Sequence, residues 1–172
     1  MSEAPLVLTL ALAEEDAERF DRVRREHFPA ERNHLRAHVT LFHALPGAAH
    51  QDVLAEVTEA ARRPPFEVSV SGIRLLGRGV AYGLESADLA ALHRQLLTAL
   101  GGLLGEQLTA QDRQRLSPHV TVQNKVAPDR ARELYEQLAE TFAPWSARAE
   151  GLALWRYLGG PWEHLQTVPF SG

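Results

Sequence analysis

The 172 residues carry a formal net charge of −4, 45% hydrophobic residues and no cysteine. An acidic balance excludes a protein that coats long nucleic acid through a broad basic surface, although a short or terminal phosphate ligand stays compatible with it. The missing cysteines exclude disulfides, thiolate catalysis and cysteine-held zinc or iron–sulfur sites.

The first expected element is a buried strand, since residues 6–12 (Leu-Val-Leu-Thr-Leu-Ala-Leu) are nearly continuous in apolar side chains. The longest apolar run near the start, Pro5 to Ala13, lacks a basic leader and is too short to span a bilayer, so a cytoplasmic protein with no membrane partner is expected. Glu14, Glu15 and Asp16 suit the first turn of a helix ending near His27, with Ala17, Phe20 and Val23 on its inner stripe. A polar loop then delivers a strand over residues 37–45. A helix over 50–63 follows, carrying Val53, Leu54, Val57 and Ala61 and stopped by Pro64-Pro65. Alternation predicts a strand over 66–73, and Gly77-Arg78-Gly79 turns it into another over 80–84. Ser86 is placed to cap a leucine-striped helix ending at Gly101-Gly102. Residues 103–117 read as loop with a short helical turn. A strand over 119–126, a helix opened by Pro128-Asp129, and two long strands joined by Gly159-Gly160-Pro161 complete the chain.

The order strand, helix, strand, helix, strand occurs twice, and the third element of each round carries nearly the same words: His38-Val39-Thr40-Leu41 and His119-Val120-Thr121-Val122. The offset, 119 − 38 = 81, is close to half the chain. A duplicated unit about a pseudo-twofold axis accounts for this better than a solenoid, which needs more and shorter repeats. The expected fold is therefore α+β and bilobal. Two mainly antiparallel sheets should face a central cleft, with the helices outside, in one domain over 1–172 with pseudo-repeats at about 4–76 and 79–170.

Strand alternation puts histidine and threonine of each copy on one face and the apolar residues on the other. Two imidazoles facing one phosphate can divide the work of phosphoester cleavage: one neutral ring accepts a proton from the attacking oxygen, and one protonated ring donates to the leaving oxygen. The threonine hydroxyls can donate to non-bridging oxygens and hold the phosphorus in line. No metal or other cofactor is needed. His34 and His43 do not form a metal site with His38, because His43 has the opposite parity and no carboxylate sits at a useful spacing.

The paired His-x-Thr-hydrophobic motifs resemble those of the 2H phosphoesterase superfamily, which includes the 2′-5′ RNA ligase-like proteins and the 2′,3′-cyclic nucleotide phosphodiesterases. The resemblance spans essentially the whole chain. It implies that His38 and His119 form the general acid–base pair and that Thr40 and Thr121 bind phosphate. It also implies a metal-independent phosphoric diester hydrolase acting on a nucleotide or RNA terminus that carries a cyclic phosphate, and allows reversible 2′-5′ RNA ligation beside it. A monomer is expected.

Further candidates follow from parity and composition. Phe42 continues the face of His38 and Thr40 and could stack on a base or fill the core. Gln123 and Lys125 continue the face of His119 and Thr121, where Lys125 could offer phosphate a point charge. Arg156 and Tyr157, with Trp155 and Trp162, give the terminal hairpin a composition suited to a nucleotide. Arg113 and Arg115 could reach over the cleft as a lid or remain surface charges. Two rivals stand beside the enzyme: a nucleotide or RNA-end binding module that grips phosphate without turnover, and an interaction protein in which the repeat is only a trace of duplication.

Overall fold

The computed structural model describes residues 4–172, so residues 1–3 of the expected 1–172 domain lie outside the described residues. The described residues form seven strands and four α-helices. The strands are β1 (Leu6–Leu12), β2 (Val39–Leu45), β3 (Phe66–Leu75), β4 (Val80–Glu85), β5 (His119–Gln123), β6 (Trp145–Tyr157) and β7 (Trp162–Pro169). The helices are α1 (Glu14–His27), α2 (His50–Ala60), α3 (Ala87–Leu104) and α4 (Pro128–Thr141). Every strand pair is antiparallel, and the α+β bilobal class expected from the repeat is what forms.

The order β2-β1-β6-β3-β4-β5 is palindromic: exchanging β1 with β4, β2 with β5 and β3 with β6 gives the same order read backwards. The third strand of each round has crossed to the other round's sheet. β6 makes this possible by its length, pairing β3 through Trp145–Ala149 and β1 through Ala149–Arg156. The two lobes are therefore joined in one curled sheet whose end strands, β2 and β5, approach within 8 Å between Cα atoms. β7 falls outside the palindrome and extends the first lobe alone, along Gly151–Tyr157 of β6.

The helices cover the outer face. The acidic first turn of α1 and the basic Arg24, Arg25 and His27 in its last turn both complement its dipole, and Phe20 is buried against Tyr82 and Trp145 at ring distances of 5.6 and 5.0 Å. Ser86 Oγ accepts from the Leu89 amide at 3.1 Å, capping α3 as expected. The Gly101-Gly102 pair does not end α3, which runs on to Leu104 and stops at Gly105, φ +55°. The physical reason is the stripe. Leu104 lies one turn beyond Leu100 and both are buried; burying a leucine is worth about 1.5–3 kcal/mol, enough to offset two helical glycines at about 1 kcal/mol each.

Two expected elements are shorter than their sequence signals. α2 ends at Ala60, because Ala61 takes up other duties: its carbonyl accepts from the amides of Arg63 and Ser171. β5 ends at Gln123 rather than near Val126. There the chain turns through Lys125 at φ +62°, and the Val126 amide bonds the Arg78 carbonyl at 3.1 Å. Gly79 permits that crossing, since a Cβ on it would sit 2.0 Å from the Gln123 carbonyl oxygen.

Candidate active site

Each motif enters its strand through the same local bond. His38 Nδ1 lies 2.8 Å from the Arg36 carbonyl, and His119 Nδ1 lies 3.0 Å from the Ser117 carbonyl, in both cases two residues upstream. A carbonyl only accepts, so each ring carries its proton on Nδ1 and leaves Nε2 free for chemistry. Thr40 is in register with Thr9, and Thr121 with Ala81.

The surroundings of the two rings differ. Burial, with the positive charges of Arg24, His119 and His43 adding to it, pushes His38 down to about 4 against the opposing bond to the Arg36 carbonyl. His38 is thus neutral at pH 7. The Trp162 ring packs 4.7 Å from it. A cleft of about 520 Å³ is lined by His38 from one lobe and Thr121 from the other, together with Arg24, Arg32, Lys125 and Tyr157.

The free edges of the two end strands would leave backbone groups without partners, a liability that exposed sheet edges carry. Side chains from the opposite lobe cover them. Arg24, on α1, donates from Nη1 to the Thr121 carbonyl on β5 at 2.9 Å, and from Nε to Asn33 Oδ1 and the Leu35 carbonyl at 2.9 and 3.2 Å. Its guanidinium lies 3.9 Å over the Phe28 ring. Burial lowers its pKa to about 10, which leaves it cationic. On the other side His93 of α3 donates to the Leu41 carbonyl on β2 and stacks on Phe42 at 4.8 Å and 12°. Asp112, 2% exposed, accepts from the adjacent amides of His43 and Ala44 at 2.7 and 2.9 Å. Burial alone would raise its pKa, but the bonds from the His43 ring and these two amides outweigh that and hold it below the ordinary aspartate value.

Parity fails at the residue after the four-residue motif in both lobes for one reason. Thr9 pairs Thr40 but Leu8 pairs Phe42, and Ala81 pairs Thr121 but Val80 pairs Gln123. An extra residue, Leu41 in one strand and Val122 in the other, makes a β-bulge that turns the following side chain inward. Phe42 is accordingly fully buried, with no surface to offer a base, and Gln123 is 3% exposed. Among the described residues Gln123 Oε1 has no hydrogen-bond partner.

Of the remaining candidates, Lys125 has left the strand but still faces the cleft, and Tyr157 lines it while 40% exposed. Arg156 is not on the cleft wall; its Nε lies 3.6 Å from Glu163 across the β6–β7 ladder. Arg113 is fastened to its own loop through the Leu108 and Gly105 carbonyls, and Arg115 lines a separate hollow with Arg94 and Leu97, so neither forms a lid over the histidines. Among the described residues no cluster of three or more histidine, aspartate or glutamate side chains is arranged to hold a metal ion, and no helix is long and apolar enough to cross a membrane.

Sequence reasoning missed Arg24 and Asp112. A signal existed for the first: Arg24 is one turn beyond Phe20 and therefore on the inward stripe of α1. Asp112 sits in an aperiodic loop that offered none.

The 2′-5′ RNA ligase superfamily model matches residues 12–161. Among solved structures the chain is similar to TT0787 of Thermus thermophilus, at 22% identity over 98% of both chains with a TM-score of 0.73. It is also similar to a protein described as a phosphoesterase, at 19% identity over 99% of this chain and 100% of that one with a TM-score of 0.65. A third is LigT of E. coli complexed with NADP+, at 18% identity over 100% of both chains with a TM-score of 0.61; LigT has also been seen with 3′-AMP. No curated protein sequence matches it. At these identities the structures speak to the fold, whereas the family model covers most of the chain. Matched motifs at an 81-residue offset, a palindromic sheet and that coverage together show that the chain belongs to the 2′-5′ RNA ligase superfamily, the 2H phosphoesterases.

Proposed function

We propose that the protein is a metal-independent phosphoesterase that opens the 2′,3′-cyclic phosphate of a nucleotide or RNA end, with reversible 2′-5′ ligation following when an RNA 5′-hydroxyl takes the place of water as the attacking group. The observation that carries this reading is the duplicated Nδ1–carbonyl bond, which leaves Nε2 free on both His38 and His119. Ring opening takes a proton from attacking water and gives one to the departing ribose oxygen, so two such nitrogens suffice. His38, neutral because it is desolvated beside Arg24, is the general base. His119 supplies the second proton transfer. As the P–O bond to water forms and the bond to the ribose oxygen breaks, Thr40 and Thr121 donate to the non-bridging oxygens, and Lys125 adds positive charge from the cleft wall. The 3′-AMP seen in LigT is the kind of monoester that ring opening yields.

The test is turnover of 2′,3′-cyclic mononucleotides in the presence of a chelator, for the wild type and for His38→Ala and His119→Ala. Each variant should lose about 10²–10⁴ in rate. Undiminished activity in either one refutes the acid–base pair, and tight nucleotide binding with no product in the wild type leaves only a binding module.

A further inference from the structure

The two motifs are alike but the sheet faces beside them are not. In the second lobe Arg74 is in register with Ala81, which faces Thr121. Its side chain crosses Gly83, where a Cβ would meet Nε at 3.0 Å, and donates to Ser117 Oγ at 2.9 Å. That face is filled and charged. The corresponding place in the first lobe, in register with Thr9 and so facing Thr40, is Ala153. There the sheet is hollow: a cavity of about 420 Å³ runs from His38 over Ala11 and Ala153 to Trp155, Trp162, His164 and Thr167. Its volume falls in the range of about 300–1,000 Å³ of small-molecule sites.

Three features specify what the hollow accepts. Its outer wall is β7, the one strand outside the palindrome, so the duplication did not dictate it. The aromatic surfaces are held in place: Trp155 Nε1 donates to Thr9 Oγ1 at 2.9 Å and its ring packs on His164 at 5.0 Å, so ordering them on binding costs little. Its charge is spent, because Arg36 at the rim is bonded to Glu14 and Glu18. The neighbouring cleft, which shares His38 and Trp162 with it, holds Arg32 and Lys125.

We propose that the hollow beside His38 is the subsite for the nucleobase of the substrate, a flat aromatic heterocycle received against Trp155 and Trp162, while further phosphates run along the Lys125 side. This rests on the phosphoesterase reading for the identity of the substrate, but it can be tested without turnover.

Affinities of a nucleoside 3′-monophosphate and of ribose 3-phosphate, followed by tryptophan fluorescence and calorimetry, provide the test. The nucleotide should bind about ten- to a hundredfold more tightly. Ala153→Leu fills the hollow, and His164→Ala removes part of its wall from an exposed strand; both should shrink that ratio. Arg32→Ala should weaken both ligands alike and leave the ratio in place. Equal affinity for the two ligands in the wild type overturns the proposal, as does an unchanged ratio in a folded Ala153→Leu variant. Should that variant fail to fold, an unchanged ratio in His164→Ala overturns it. Base-dependent binding by a protein that turns over no cyclic phosphate refutes the phosphoesterase and retains the subsite.

Discussion

Arg24→Met removes the cross-lobe cation while keeping most of its apolar volume. The wild-type guanidinium makes three hydrogen bonds, to Asn33, Leu35 and Thr121. Bonds from a charged donor are worth about 1.5–3 kcal/mol each, or roughly 6 kcal/mol for three. Keeping the charge in this buried place costs stability in return: a pKa lowered from 12.5 to about 10 corresponds to roughly 3 kcal/mol at 1.36 kcal/mol per unit. The difference predicts destabilisation of about 3 kcal/mol, in line with breaking a buried charged interaction. With a urea slope of about 2 kcal/mol/M, the unfolding midpoint should fall by more than about 1 M. A second readout is specific to the site. Arg24 is one of the charges holding His38 below its ordinary pKa, so in the variant the His38 ring, followed by NMR titration, should gain its proton at higher pH. A midpoint within about 0.3 M of wild type, or a His38 titration that stays put or moves down, refutes the reasoning.

Asp112→Asn should cost about 2 kcal/mol at neutral pH by weakening bonds that a charged acceptor makes. Because folding holds the Asp112 pKa below its unfolded value, this contribution is fully present above about pH 4 and is lost as the pH falls through the folded pKa. The stability gap between wild type and variant in denaturant titrations should therefore close on acidification, and a gap constant down to pH 2 would contradict the assignment. Gln123→Met removes the buried Oε1 that lacks a partner and should stabilise by about 1 kcal/mol, raising Tm by about 2–4 °C; a lower Tm would mean that the amide is satisfied. Gly79→Ala drives a Cβ onto the Gln123 backbone at 2.0 Å and should cost about 1–3 kcal/mol in chemical unfolding. Gly83→Ala meets only the movable Arg74 side chain, at 3.0 Å, and should cost less.

What the sequence disclosed and what it concealed divide along a physical line. Local patterning was legible: the helix starts at Glu14 and Pro128, the Ser86 cap and the strand–helix order all follow from short-range chemistry. The repeat disclosed the symmetry. The exchange of β3 and β6 between lobes was not legible, because strand partners are chosen by packing across the whole chain. Nor were the ends of α2, α3 and β5, each set by a distant contact or by the burial of one side chain.

At the site, alternation was reliable for the four motif residues and then misled. Extrapolating it placed Phe42 and Gln123 in the cleft, whereas one extra residue in each strand turned both inward. That the bulge recurs 122 − 41 = 81 residues later, at the offset of the histidines, ties it to the duplicated unit rather than to a local accident. Its effect is to end the polar run after threonine and to return each strand to the core at Phe42 and Gln123. In the proposed site the symmetric part of the molecule supplies a histidine and a threonine from each motif. The difference between the lobes, Arg74 against Ala153 and a seventh strand on one flank only, gives the two sides different neighbours. A phosphodiester also has two unlike sides. A site built by duplication can seat it in one orientation only where the duplication has been broken, and here the break lies beside His38.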